Sequence, residues 1–454
     1  QFGCTVQEKE PVKPKKKGAR SLVKCLVCGE IFDSSIEVCP VCGVGKENFV
    51  PVEAEETGYV NDTEEYYVIL GNGAAGFNAA KAVRERDRTG AVILISDEPY
   101  PAYNRPMLTK SIVAGLSAEQ IAIEGPDWYE ENKVYQMLGK KAVSVDMKEK
   151  EVILEDGAKV HFTKLIYALG SECFIPPMEG SSLPEVVAIR RLADVEKAER
   201  LMKEASDAVV IGGGVLGLEA AWELKKAGLN VKVLEVAPVL MGRQLDAGSA
   251  ELLKKIALKN GVEIRTGVTV EAIEGKEHVT GVRLAGGEVC PADLVIVSAG
   301  VRANIGLAQS IGLDTDRAVL VNEHMETNLP DVYACGDCAQ YRGANFAIWP
   351  EAVEQGKTAG ANAAGEKAVY EPVAAALTFH GMNTALFAAG DNGKNPNLLY
   401  KTVEFQDMGK GQFRKCYFLN NRLCGVILIG DLSEMAKMTE ALAKHASYEE
   451  LMKK

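Results

Sequence analysis

Residues 66–97 read YYVILGNGAAGFNAAKAVRERDRTGAVILISD, and this stretch decides the fold. The run Tyr67–Leu70 is apolar and of strand length, and it leads into Gly71-x-Gly73-x-x-Gly76. A helix-like segment follows, and a second apolar run, Ala91–Ile95, closes on the acidic pair Asp97-Glu98. This is the grammar of a dinucleotide-binding βαβ unit. One glycine makes the tight turn, one lets the backbone approach a pyrophosphate, and one packs helix on strand. The helix N-terminus then turns free N–H groups and a partial positive charge toward the phosphates. The grammar recurs in residues 207–235, DAVVIGGGVLGLEAAWELKKAGLNVKVLE, with Gly212, Gly214, Gly217 and a terminal Glu235. A lone GxGxxG is weak, but two copies with flanking strand, helix and acid point to two dinucleotides.

The 454 residues allow about three domains. A hydrophobic content of 47% and a charged content of 25% are ordinary for a globular enzyme. The net charge of −12 argues against a nucleic-acid partner. The most apolar region, 373–390, is interrupted by His380 and Asn383, so no membrane span is expected. The basic N-terminus has no apolar run behind it and does not read as a signal peptide. Of 11 cysteines four cluster and the rest scatter, which suits a reducing cytoplasm rather than a disulfide framework.

In chain order, residues 1–20 read as a polar arm with six basic and two acidic residues, either a solvated tail or a docking arm for an acidic surface. Residues 21–53 carry Cys25-x-x-Cys28 and Cys39-x-x-Cys42, two pairs able to give four thiolates to one tetrahedral metal, Zn or Fe. So short a segment buries too little to fold without such a staple. Residues 54–65, acidic and turn-rich, read as a flexible linker that lets the metal module visit the next domain.

The expected architecture is α/β: two Rossmann-like domains, 66–190 with 292–365 and 191–291, then a small α+β domain, 366–454. In the first domain Arg105 and Lys110 lie in an irregular prolyl run and suit phosphate contact, although a solvated basic loop has the same composition. Val143, in a hairpin-like pair of strands, counts as a candidate cofactor contact. So do Gly170 and Gly300, each closing an apolar strand. Glu235 can take both hydroxyls of an adenosine ribose, and Val236-Ala237-Pro238 behind it offers no arginine for a 2′-phosphate, so NADH is expected over NADPH. Gly336-Asp337 ends a strand where an Asp could bond a polyol hydroxyl. Cys335-x-x-Cys338 straddles that Asp and reads as buried thiols rather than a redox disulfide. A helix is expected from Pro350, its N-terminus presenting positive potential.

KCLVCGEIF…VCPVCGVGKENFVPVE resembles rubredoxin, with the short spacer of the rubredoxin-like tail of rubrerythrins. That resemblance implies a mononuclear Fe(Cys)4 electron-transfer site on Cys25, Cys28, Cys39 and Cys42; a zinc ribbon has the same spacing. ISDEPYPAYNRPMLTK, TNLPDVYACGDCA, WPEAVEQGKTAGANAAG and NNRLCGVILIGD make residues 66–454 similar to NADH:rubredoxin reductases and the large subunit of NADH-dependent nitrite reductases. The resemblance implies that Gly71, Gly73, Ala75, Gly76 and Asp97 hold the adenosine half of FAD and that Asp337 bonds its ribityl chain. It also implies that Trp349 meets the pyrimidine edge of the flavin and that Lys110 lies near flavin N5, paired with Glu219 of the NAD unit. Leu169 departs from the Thr usual beside Gly170. No cysteine lies between Cys42 and Cys173, so disulfide-substrate and sulfenic-acid chemistry are not expected.

The implied activity runs from NADH through FAD to the fused Fe(Cys)4 centre, and on to a flavodiiron protein, rubrerythrin or superoxide reductase. Two alternatives stay open at this point: a subunit that reduces NAD with electrons from a ferredoxin-like donor, and a zinc ribbon that only docks a flavoprotein.

Overall fold

The computed structural model describes residues 22–25, 31–39, 44–52, 60–373, 376–407 and 411–452. Among them, two five-stranded parallel sheets carry the glycine motifs. The first runs Val332–Ala334, Lys164–Tyr167, Tyr66–Leu70, Ala91–Ile95, Val134–Met137. The second runs Val186–Val187, Leu294–Val297, Asp207–Ile211, Asn230–Glu235, Val262–Thr266. Parallel sheets are covered on both faces, so their strands are apolar without alternation. Val68, Ile69 and Leu70, like Val209 and Val210, are fully buried. In each sheet the chain steps outward from the strand that leads into the glycine turn and later returns on that strand's other side. Ligands of open α/β sheets bind at this reversal, outside the carboxyl ends of the strands.

Both glycine turns sit at the reversal. Gly71 has φ +104° and Gly212 φ +116°, and a Cβ on either would stand 2.1 or 2.2 Å from the carbonyl oxygen of Ala168 or Ser298. One turn on, a Cβ at Gly76 or Gly217 would stand 1.9 or 2.1 Å from the carbonyl oxygen of Gly71 or Gly212. Helices Ala74–Arg86 and Val215–Lys226 follow directly. The repetition goes further than the motifs. Each unit inserts a three-stranded antiparallel meander before its return strand: Ala142–Asp146, Glu151–Leu154, Lys159–His161 in the first, and Val270–Gly275, Val279–Leu284, Val289–Pro291 in the second.

The helix expected from Pro350 spans Trp349–Ala363 and lies on Ala74–Arg86. Their backbones nearly touch: a Cβ at Gly356 would be 2.3 Å from the Ala75 carbonyl oxygen, and one at Gly360 would be 2.2 Å from that of Ala79.

The C-terminal part is an antiparallel sheet ordered Ala376–Gly381, Thr384–Gly390, Arg422–Ile429, Gln412–Leu419, Lys401–Asp407, followed by helices Met435–Ala443 and Tyr448–Met452. Asn420 and Asn421, both at positive φ, make its tight hairpin turn. Side chains alternate across this sheet, yet both faces are buried. Leu386, Ala388, Ile427 and Ile429 join the core of the second unit, whereas Phe387, Ala389, Val426 and Leu428 join Met435 and Met438. Ahead of all this, strands Ile31–Asp33, Leu22–Cys25 and Phe49–Val52 form a small antiparallel sheet.

The described end of the stretch expected as a linker, 54–65, is fixed on the first unit. Asn61 bridges Asp87, Thr63 Oγ1 donates to the Asp87 carboxylate, and Asp62 pairs with Arg88 at 2.6 Å. Short polar side chains here bond the loop after the first helix, so these residues belong to the first unit; residues 53–59 lie outside those described. Among the described residues no helix is long and apolar enough to cross a membrane.

Candidate functional site

A cavity of about 710 Å³ opens at the carboxyl ends of the first sheet. Gly71, Gly73, Ala75, Asp97, Arg105, Lys110, Gly170, Gly336, Asp337 and Trp349 line it, which brings most of the residues expected at the first dinucleotide into one place. Gly76 packs against the Gly71 turn instead. Val143 sits exposed at a bulge of its hairpin, and its neighbour Ala142 is the one on the cavity wall. The wall fits FAD. At Gly73 the backbone faces the cavity with nothing nearer than 3.8 Å to a Cβ built there, the N-termini of helices Ala74–Arg86 and Trp349–Ala363 both reach it, and six basic residues (Arg105, Lys110, Lys140, Lys141, Arg190, Arg191) line it.

Several of these groups are held by partners that sequence reasoning missed. Arg105 ion-pairs with buried Glu98, donates to the Tyr103 hydroxyl at 3.0 Å and donates to the Arg190 carbonyl at 2.8 Å. Asp337 accepts from Ser171 Oγ at 2.7 Å and from the Arg190 guanidinium at 2.6 Å. Asp97, on the cavity rim, pairs with Arg191 at 2.9 Å, and Arg191 also binds Glu172. The adjacent basic pair Arg190-Arg191, just before helix Leu192–Met202, was the available signal. The Gly336 amide donates to Gln355 of helix Trp349–Ala363 at 2.9 Å, which fixes the strand end that carries Asp337.

In the second unit Glu235 accepts from the amides of Gly213 at 2.6 Å and Ala237 at 2.7 Å, so its carboxylate is set by the backbone at the strand end. Gly214 and Gly300 face open space. Gly212, Gly214, Gly217, Glu235 and Gly300 lie outside the first cavity's wall, but Glu219 does not. It projects from the second unit's helix into that wall, 3.7 Å from Lys110 Nζ, and accepts from Thr109 Oγ1 at 2.6 Å. Glu219 is 5% exposed; burial pushes its carboxyl pKa up, and the Lys110 charge opposes that. His380, on the first strand of the C-terminal sheet, is pushed down by burial and by the Lys110 charge, which favours neutral imidazole.

The thiols of Cys335 and Cys338 are buried, and burial pushes Cys338 up to about 12 and Cys335 well above the usual range, which makes them poor nucleophiles. Of the four expected metal ligands, Cys25 and Cys39 are buried, while Cys28 and Cys42 lie outside the described residues. Among the described residues alone, no group of three or more His, Cys, Asp or Glu is placed to hold a metal.

Residues 66–356 match the family model described as pyridine nucleotide-disulphide oxidoreductase, and 376–446 match the rubredoxin NAD+ reductase C-terminal domain. The nitrite reductase [NAD(P)H] of Bacillus subtilis is 33% identical over 85% of this chain and 48% of its own length. This chain thus spans about half the length of such relatives. The rubredoxin-NAD(+) reductase of Pseudomonas putida is 34% identical over 62% of this chain and 73% of its own. The crystal structure of the NADH:rubredoxin oxidoreductase from Clostridium acetobutylicum superposes with a TM-score of 0.70 at 29% identity, covering 86% of this chain and 97% of that one.

Proposed function

The chain belongs to the pyridine nucleotide-disulphide oxidoreductase family, and on that premise we propose that it is an FAD-dependent NADH oxidoreductase. In this reading electrons pass from NADH to an N-terminal Fe(Cys)4 centre on Cys25, Cys28, Cys39 and Cys42, and then to an external one-electron redox protein. The observation that carries it is Glu219: a side chain of the second unit closes the wall of the first unit's cavity beside Lys110, so the two units meet at one ion pair. Bound FAD would supply the chemistry, accepting two electrons together and releasing them singly.

The chain's own residues bind, orient and balance charge. Gly71, Gly73 and the N-terminus of helix Ala74–Arg86 receive a pyrophosphate, with Arg105 and Arg191 as counter-charges. Asp337, oriented by Ser171 and Arg190, offers a carboxylate to a polyol chain. Glu235 offers one to a ribose and favours NADH. Lys110, held by Glu219, which Thr109 anchors in turn, would place a positive charge where negative charge grows on reduction. The absence of a reactive thiol from the described cavity wall supports electron transfer over disulfide reduction. A flavodiiron protein, rubrerythrin or superoxide reductase fits as the acceptor.

An anaerobic NADH titration tests this. Bleaching of a ferric–thiolate band together with the flavin, with uptake of about three electrons per chain, is expected. Bleaching of flavin alone, with stoichiometric zinc, makes the N-terminal site structural and overturns the route.

A further inference from the structure

The outer face of the C-terminal sheet is apolar and buried. In the structure Phe387, Val426, Leu428 and Phe418 of that face form one continuous apolar cluster with Met435, Met438 and Leu442 of helix Met435–Ala443, and with Cys25, Cys39 and Val44 of the N-terminal module. Phe32 and Phe49 of the module pack at its margin. The single turn Lys46–Asn48 rests on helix Met435–Ala443. Asn48 is 3% exposed, but its side-chain amide is satisfied inside its own turn, donating to Glu47 at 3.0 Å, so an apolar surface can cover it without cost. The same cluster reaches Trp349, which also packs on the core of the first unit and lines the cavity.

We propose that helix Met435–Ala443 and the outer face of the C-terminal sheet are a seat that holds the N-terminal cysteine module in cis. Electron exchange with the cavity then takes place from one docked position, not from excursions on a tether. The seat stands on packing; the electron exchange rests on the function proposed above. For each NADH oxidised to NAD⁺, one proton goes to solvent and two electrons leave through the module in turn. An iron held by Cys25, Cys28, Cys39 and Cys42 would take them one at a time, ferric to ferrous, with the external one-electron acceptor removing each before the next. Residues covered by the seat are unavailable to that acceptor, so it meets the module on its opposite side.

The test uses the full-length holoprotein at high dilution with an amine-reactive cross-linker and mass spectrometry. Lys46, in the seated turn, and Lys437 and Lys444, at the helix, all have exposed ammonium groups. A dominant intramolecular link from Lys46 to Lys437 or Lys444 is expected. Links from Lys46 spread evenly over the second unit, for example to Lys259 and Lys276, overturn the seat. A protease site inserted between Glu53 and Gly58 gives a second reading: the cleaved module co-elutes with the rest if seated and separates if not. The rate of metal bleaching by NADH, measured with rising viscosity, completes the set. An unchanged rate is expected, and a rate falling in inverse proportion overturns delivery from a docked position. Iron content read on the same sample separates the two claims, because the cross-link does not depend on the metal.

Discussion

The two dinucleotide units are built from the same backbone and differ in how they hold their acids. The amide of Gly71 donates to the Ile95 carbonyl and that of Gly212 to the Leu234 carbonyl, so the two strand ends can be laid over one another. Glu235 then falls on Ser96, and the first unit's carboxylates, Asp97 and Glu98, come one and two residues later. Glu235 is fixed by amides of its own turn. Asp97 and Glu98 are fixed by arginines, one of them 94 residues away. The second unit is therefore locally complete. The first is assembled from distant pieces of chain, and its wall includes a residue of the second.

The largest expected effect separates the units outright. Gly76→Ala drives a Cβ into the Gly71 carbonyl and should cost about 3 kcal/mol or more, leaving protein with little or no flavin. Gly217→Ala makes the same collision in the other unit, and should keep the flavin but lose reduction by NADH. Flavin-to-protein ratio and an NADH titration read both; equal flavin loss in the two variants breaks the comparison. Next, Glu219→Gln removes the counter-charge of Lys110 and should slow flavin reduction about 10²-fold in stopped flow, with flavin content unchanged.

Smaller effects sharpen the contrast in the acids. Glu235→Ala should raise the KM for NADH about 10- to 100-fold at constant kcat, by loss of charge-assisted bonds. Asp97→Ala, at a rim position already neutralised by Arg191, should weaken flavin binding by less than about fivefold. The smallest concerns how the second unit is tied to the C-terminal sheet. Asp246 caps helix Ala247–Lys259 and also accepts from the Tyr417 hydroxyl at 2.6 Å and from Lys415 at 2.5 Å. The Lys415 and Tyr417 hydrogen bonds outweigh burial and hold its carboxyl far below 3.8. Its stabilisation is fully present above that unfolded value, and it is lost progressively as the pH falls from there through the lower folded-state value. Asp246→Asn should thus cost about 1–2 kcal/mol at pH 7, and the gap to the parent should shrink below pH 3.8, as thermal melts across pH will show.

Legibility in the sequence followed the same division. Glycine spacings and strand-end acids are local, and both motifs were readable together with the strands that flank them. Pairings across long separations were not: Ser171 and Arg190 reach Asp337 from 166 and 147 residues away. The Lys110–Glu219 contact came from family likeness rather than from any spacing. The second unit's meander is not legible in the sequence, although the first, with a bulge at the same place, is legible as a hairpin. The C-terminal strand Thr384–Gly390 is buried on both faces, so its pattern named no side for the N-terminal module to cover.

The crossing at Gly356 and Gly360 has a consequence for what the cavity admits. With only hydrogens between the backbones, helices Ala74–Arg86 and Trp349–Ala363 can neither slide nor roll past each other. Each begins at the cavity, so the separation of their first residues is a built-in gauge. A ligand that must touch a phosphate cradle at one end and Trp349 at the other is selected by its length. A mononucleotide flavin, one nucleotide short, can satisfy only one end, and neither helix can move in to meet it.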